Sequence, residues 1–158
     1  MVGLLAALVC TGSVRSAERR GEAGIYDPAR DPARDLTVAI ADARRDGKRI
    51  LLEIGGNWCG WCREFERFLR TDATLTQELH CAFVVVRVNV SPENSNARFL
   101  SAYPKVPGYP YLFVLDGAGT LLKAVDTDDF LRGESYDRAR LLAFVRKWSP
   151  PDPTAAGG

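Results

Sequence analysis

Two apolar runs limit what this chain can fold into. One is Ile50-Leu51-Leu52-Glu53-Ile54, and the other is Ala82-Phe83-Val84-Val85-Val86-Arg87-Val88. Both are apolar on consecutive residues rather than alternate ones, and the second is dense in β-branched side chains. Such runs are strands covered on both faces. A helix-patterned stretch precedes the first run, with Leu36, Ile40 and Ala43 at helical spacing, Asp35 as its N-cap and Gly47 as its stop. Between the runs, Phe65, Phe68 and Leu69 point one way along a second helix, and residues 71–79 add a further turn or two. A short helix follows over 97–103, then a strand at 111–115. The turn Asp116-Gly117-Ala118-Gly119 leads to a returning strand at 120–125. A polar loop spans 126–135. The last helix, over 136–148, turns Leu141, Leu142, Val145 and Trp148 inward. Helices alternating with strands imply parallel pairing, and the closing hairpin adds an antiparallel edge. The expected class is α/β, a central mixed sheet of about four to five strands with helices on both faces.

The 158 residues suit one domain with short extensions, and a net charge of +1 gives no electrostatic reason to expect nucleic acid as a partner. Residues 2–10 are small and apolar, and they are followed by Thr11-Gly12-Ser13 and the charged Glu18-Arg19-Arg20. This reads as a signal peptide over 1–17. The run is shorter than the ~20 apolar residues a membrane span needs, so no stable span is expected after signal removal. Export to the periplasm or another extracytoplasmic space is expected ahead of a cytoplasmic location. Residues 18–35 carry a small repeat, Asp27-Pro28-Ala29-Arg30 and Asp31-Pro32-Ala33-Arg34, and read as a polar linker. The folded domain is expected over 36–149. A loose tail containing Pro150, Pro151 and Pro153 follows over 150–158.

The chemistry concentrates at Trp58-Cys59-Gly60-Trp61-Cys62, which follows the first strand and opens a helix. A cysteine at a helix N-terminus meets unpaired N–H groups and the positive end of the macrodipole, which favour its thiolate. The two-residue spacing brings the second sulfur within disulfide reach of the first. Cys59, at the tip, is expected to attack. Cys62, one turn inward, is expected to resolve the mixed disulfide. A zinc site needs a second pair, and the remaining candidates, His80 and Cys81, are adjacent and point apart. Haem attachment needs His at position 63, which is Arg63. No metal and no bound cofactor is expected. Cys81 is expected to begin the second strand as a buried structural thiol.

The segment from Leu52 to Cys62 resembles the active-site strand and turn of the thioredoxin superfamily. The order of elements over residues 36–148 agrees with it. The resemblance implies a thioredoxin fold and, more narrowly, similarity to bacterial thioredoxin-like thiol:disulfide interchange proteins. It implies that Glu53 is the buried acid that relays a proton to or from Cys62. It places Arg87 near that acid and a cis-proline at Pro110. Trp58 matches the family's tryptophan before the nucleophile. Substrate contact falls to Trp58, Trp61, Tyr109 and Pro110, with the Tyr109 backbone pairing with an extended peptide. Between the cysteines stands Gly60-Trp61 rather than Gly-Pro, a dipeptide that leaves reductant, oxidant and isomerase all open. Glu53 is one methylene longer than the usual Asp, and Gly55-Gly56 replaces bulkier residues. The expected function is exchange of disulfides with protein thiols and disulfides, recycled by a redox partner, in a monomer. The alternative is a binding or chaperone module of the same fold, with idle or regulatory cysteines and an aromatic patch made of Trp58, Trp61, Tyr109 and Tyr111.

Overall fold

The computed structural model describes residues 24–151. The expected signal peptide, the first part of the expected linker and residues 152–158 lie outside the described residues.

Helix α1 (Pro32–Asp46) leads into strand β1 (Arg49–Gly55), followed by α2 (Gly60–Thr71), α3 (Ala73–Ala82) and β2 (Phe83–Asn89). A one-turn helix α4 (Ala97–Leu100) precedes the hairpin of β3 (Tyr111–Leu115) and β4 (Leu121–Asp126). A 3-10 turn at Thr127–Phe130, a two-residue ribbon of β5 (Leu131–Arg132) and β6 (Ser135–Tyr136), and α5 (Arg138–Lys147) complete the domain. The main sheet has the order β2-β1-β3-β4. Only β1 and β2 run parallel, with Glu53 opposite Arg87. β3 lies antiparallel to β1, and β4 antiparallel to β3. The sheet is therefore more antiparallel than helix–strand alternation implies, because the β2–β3 connection brings the chain in beside β1 from the far end.

Strand periodicity assigns the two faces. Ile50, Leu52 and Ile54 turn toward Ala39 and Ala43 of α1, and Phe113 and Leu115 join them there. Leu51 turns the other way, into a core with Phe65 and Leu69 of α2, Leu75 and Leu79 of α3, and Leu141, Phe144 and Val145 of α5. Glu53 shares the face of Leu51 by the same alternation. A carboxylate is thereby placed beneath α2, the helix that carries the cysteines.

Several boundaries differ from those expected. α1 begins at Pro32 rather than 36. Asp31 is its N-cap, accepting from the N–H groups of Ala33 and Arg34, and proline occupies its first turn. Proline is favoured there because that N–H has no helical partner in any case. The linker reading of 18–35 therefore does not hold from Pro32 on, where α1 begins, nor at Tyr26, which is completely buried, while residues 27–31 are exposed. Cys81 does not begin a strand. It occupies the last turn of α3 and is half-buried rather than buried. Asp72 caps α3 by accepting from the Leu75 N–H at 2.9 Å, which lets that helix run on to Ala82. The loop expected over 126–135 is partly ordered by the 3-10 turn, in which the Thr127 hydroxyl donates to the Pro110 carbonyl at 2.7 Å.

Candidate active site

The β1–α2 junction builds the centre of the site. Cys59 is the N-cap of α2, with extended backbone, and its sulfur accepts from the Cys62 N–H at 3.1 Å. Cys59 and Cys62 are joined as a disulfide, with Cα atoms 5.2 Å apart. Cys59 keeps 6% of its surface exposed and Cys62 none, so the tip sulfur is the one that solvent can reach. The N–H of Cys62 aimed at Cys59 Sγ is the local form of helix N-terminal stabilisation of a sulfur anion.

The Tyr109–Pro110 peptide is cis, and the Tyr109 carbonyl oxygen lies 3.5 Å from Cys59 Sγ. Trp58 and Tyr109 meet edge to face, with ring centroids 5.7 Å apart. The Trp58 indole N–H donates to the Val90 carbonyl at 2.6 Å. Trp61 leans edge-on against Tyr136 at 6.0 Å. Trp58 is 56% and Trp61 44% exposed, on either side of Cys59 and Gly60 in the chain. Tyr109 and Tyr111 are half-buried, so the aromatic surface is narrower than the four residues expected.

Glu53 lies 2% exposed below the pair. Burial holds its carboxyl above the ordinary carboxylate range, while the Arg87 charge and a hydrogen bond from Tyr26 pull the other way. Arg87 is less directly engaged with Glu53 than their pairing across the sheet implies. Its Nε is 3.5 Å from Glu53 Oε2 and makes no hydrogen bond, while its Nη2 donates to Glu66 Oε2 at 2.6 Å. Glu66 also accepts from Arg70 at 3.0 Å, which carries the charge row outward along α2. A cavity of about 60 Å³ opens behind these groups, lined by Glu53, Glu66, His80 and Arg87 among others. Its lining is more apolar than polar, with Glu53, Glu66, Arg70 and Arg87 supplying the charged part.

The structure therefore brings Cys59, Cys62, Glu53, Trp58, Trp61, Tyr109 and Pro110 to one end of the sheet. It adds three residues that the sequence reading missed. Tyr26 donates its hydroxyl to Glu53 Oε1 at 2.6 Å. Glu66 accepts the hydrogen bond from Arg87, and Asn57 holds the segment carrying Tyr26. The one available signal for Tyr26 was that Ile25 and Tyr26 are the only large apolar residues between positions 18 and 35. The two glycines that departed from the expected pattern also find their reason here. A Cβ on Gly55 would come within 2.5 Å of the Tyr26 hydroxyl and 2.8 Å of Cys62 Sγ, and one on Gly56 would strike Trp58 and the Val90 carbonyl. Among the described residues, no group of three or more His, Cys, Asp or Glu side chains is placed to hold a metal ion.

The family model described as thioredoxin-like matches residues 31–117, more than half of the chain. The chain is 26% identical over 102 residues to the thiol:disulfide interchange protein DsbD of Escherichia coli K12, covering 65% of this chain and 18% of that protein. It is 28% identical over 90 residues to DsbD of Actinobacillus pleuropneumoniae, covering 57% and 15% respectively. The chain thus spans less than a fifth of the length of these relatives. Among solved structures, a disulphide isomerase from Xylella fastidiosa Temecula1 superposes with a TM-score of 0.69 at 25% identity, over 80% of this chain and 98% of that one. The C-terminal domain of Neisseria meningitidis DsbD, in its oxidised form, shares the fold with a TM-score of 0.53 at 17% identity, over 75% and 96%. The mixed sheet, the cysteine pair at the start of α2 and the family match agree: this chain belongs to the thioredoxin-like family and has the thioredoxin fold.

Proposed function

We propose that this protein is an exported thiol–disulfide oxidoreductase that exchanges disulfides with protein substrates through Cys59 and Cys62. The observation that carries the reading is the pair itself, a disulfide at a helix N-terminus with one sulfur reachable and the other sealed above a buried carboxyl. In the reducing direction the Cys59 thiolate attacks a substrate disulfide. One substrate sulfur leaves as a thiolate, and the other forms a mixed disulfide with Cys59. Cys62 then gives its proton to Glu53 and attacks Cys59 Sγ. The Cys59–Cys62 bond forms, and the second substrate sulfur departs as a thiolate that takes a proton from water. Two electrons pass from the protein's dithiol to the substrate, and a redox partner must return them. Run backwards, the same steps oxidise a dithiol substrate.

Trp58 and Trp61 supply the exposed apolar surface on which a peptide rests, and the Tyr109 backbone beside Cys59 supplies a hydrogen-bonding edge. Export is supported by the apolar run at residues 2–10 and by the likeness to interchange proteins. No helix among the described residues is long and apolar enough to cross a membrane. We read the domain as acting as a monomer.

Insulin reduction tests the enzymatic reading. The wild type is expected to accelerate it in the presence of a recycling thiol, and Cys59→Ser is expected to be inert. Equal rates for the two proteins would leave only a binding module with an aromatic patch. A Cys62→Ser variant is expected to accumulate mixed disulfides in an extract of the source cells, and their absence would reverse the assigned cysteine roles.

A further inference from the structure

The segment ahead of α1 holds a tyrosine for which the exchange steps above have no use. Residues 27–31 are exposed, yet Tyr26 is buried completely and shares a cluster with Cys59 and Cys62. Its main chain is clamped. The Tyr26 N–H donates to Asn57 Oδ1 at 3.0 Å, and Asn57 Nδ2 donates back to the Tyr26 carbonyl at 2.6 Å. Further along, Asn94 Nδ2 donates to the Pro28 carbonyl at 2.9 Å. Asn57 stands two residues before Cys59, so the clamp fixes the segment to the turn that carries the reacting sulfur. The side chain then reaches inward over Gly55, where only the absence of a Cβ leaves room for both the phenol and Cys62 Sγ.

We infer that Tyr26 is a positioning residue of the exchange site: clamped by Asn57, its hydroxyl holds the Glu53 carboxylate in place beside Cys62 to receive the proton of the resolving thiol. This rests on the reading of Glu53 as the acceptor of that proton. The bond from Tyr26 is donated to the charged form of the acid and so favours it, against the burial that opposes it. The other groups that bear on Glu53 are Arg87 from β2, Glu66 from α2 and Tyr136 from β6. Arg87 divides its charge with Glu66 and makes no hydrogen bond to Glu53, so the phenol is the one close donor to the acid among the described residues. In the resolving step the Cys62 S–H proton passes to Glu53, the Cys59–substrate S–S bond breaks, the Cys59–Cys62 bond forms, and the substrate sulfur leaves as a thiolate.

Timing that step alone tests the inference. Reduced protein is loaded at Cys59 with thionitrobenzoate at acid pH and jumped to a series of higher pH values. The coloured thiolate released when Cys62 attacks is then followed. Tyr26→Phe keeps the ring and loses the donor. Its resolving rate is expected to reach half-maximum about one pH unit higher than in the wild type, roughly tenfold slower on the rising limb, with the same plateau. Asn57→Ala, which loosens the clamp without touching the phenol, is expected to move the profile the same way by less. Glu53→Gln is expected to remove the limb, and adding Tyr26→Phe to it is expected to change nothing further. A wild-type profile in Tyr26→Phe, with the limb still lost in Glu53→Gln, overturns the inference and leaves the Glu53 reading standing. An unchanged profile in Glu53→Gln overturns both. A Tyr26→Phe shift that persists in full without Glu53 also overturns the inference, because the hydroxyl would then act on the sulfur directly.

Discussion

Cys59 and Cys81 stand at helix ends beside the same parallel pair of strands, at opposite poles. Cys59 caps the N-terminus of α2, just beyond the C-terminal end of β1. Cys81 lies in the last turn of α3, just before β2 begins at the other end of the sheet. At the first position the Cys62 N–H points at the sulfur. At the second the carbonyl pole of the helix faces it, where a negative charge is disfavoured. The first has a partner one turn away, a buried acid beneath and exposed aromatic rings around it. The second is half-buried, and its neighbour His80 is held toward its neutral form by burial first and then by the charges of Arg87 and Lys48. The residue type is the same, and the pole of the helix decides whether a thiolate is favoured there. Cysteine content alone therefore says little about redox chemistry.

The largest expected effect breaks the contrast outright. Cys59→Ser is expected to lower insulin-disulfide turnover by roughly a hundredfold or more, because no second nucleophile occupies the tip of α2. Cys81→Ser is expected to leave turnover within about twofold, as changes away from a site usually do. Comparable losses in the two assays would dissolve the distinction. Next in size is Gly55→Ala. Its Cβ would drive against the Tyr26 hydroxyl and Cys62 Sγ, neither of which sits on a flexible chain end with space to retreat. A loss of about 1–3 kcal/mol in denaturant unfolding of the oxidised protein is expected.

The acid gives a smaller effect with a definite sign. Glu53 binds its proton more tightly in the folded protein than in the unfolded chain. The folded state therefore holds the extra proton between the two titrations. The stability associated with Glu53 is complete below the unfolded value near 4.5 and is lost as pH rises through the raised folded value. Denaturation midpoints of the oxidised protein are expected to fall over that window, and Glu53→Gln is expected to flatten the fall. A midpoint that rises there would mean that Arg87 and Tyr26 outweigh burial. The finest comparison is kinetic. In the reduced protein at neutral pH, iodoacetamide is expected to modify Cys59 faster than Cys81, because only Cys59 sits at a helix N-terminus. Trp61→Ala is expected to raise KM for a protein substrate about threefold with little change in kcat, the pattern of lost uniform binding.

What could be read in the sequence was whatever a local pattern encodes. The β1 and β2 strands announce themselves by unbroken apolar runs, α2 by its cysteines and its aromatic face, and Glu53 through the resemblance of the Leu52–Cys62 segment to the thioredoxin superfamily. The start of α1 misled because two Asp-Pro-Ala-Arg repeats look like linker. The second of them is in fact a cap followed by proline in the first helical turn. Cys81 was misplaced because the apolar run containing β2 hides where α3 stops. For Tyr26 the sequence offered only its place, with Ile25, as a large apolar residue in a polar stretch. Its importance comes from two asparagines and a glycine more than 25 residues away, contacts that leave no periodic trace in the chain. Glu66 escaped for the same reason, since its competition for Arg87 exists only once α2 lies across the sheet.

The clamp at Asn57 bears on where this domain begins. A fragment cut at Pro32 would retain every helix and strand among the described residues and would fit the family pattern from its second residue on. It would also leave Glu53 without its phenol and open a slot over Gly55 straight to the sealed sulfur. On the proposed role of Tyr26, an expression boundary chosen by secondary structure alone is expected to alter the exchange chemistry while sparing the helices and strands.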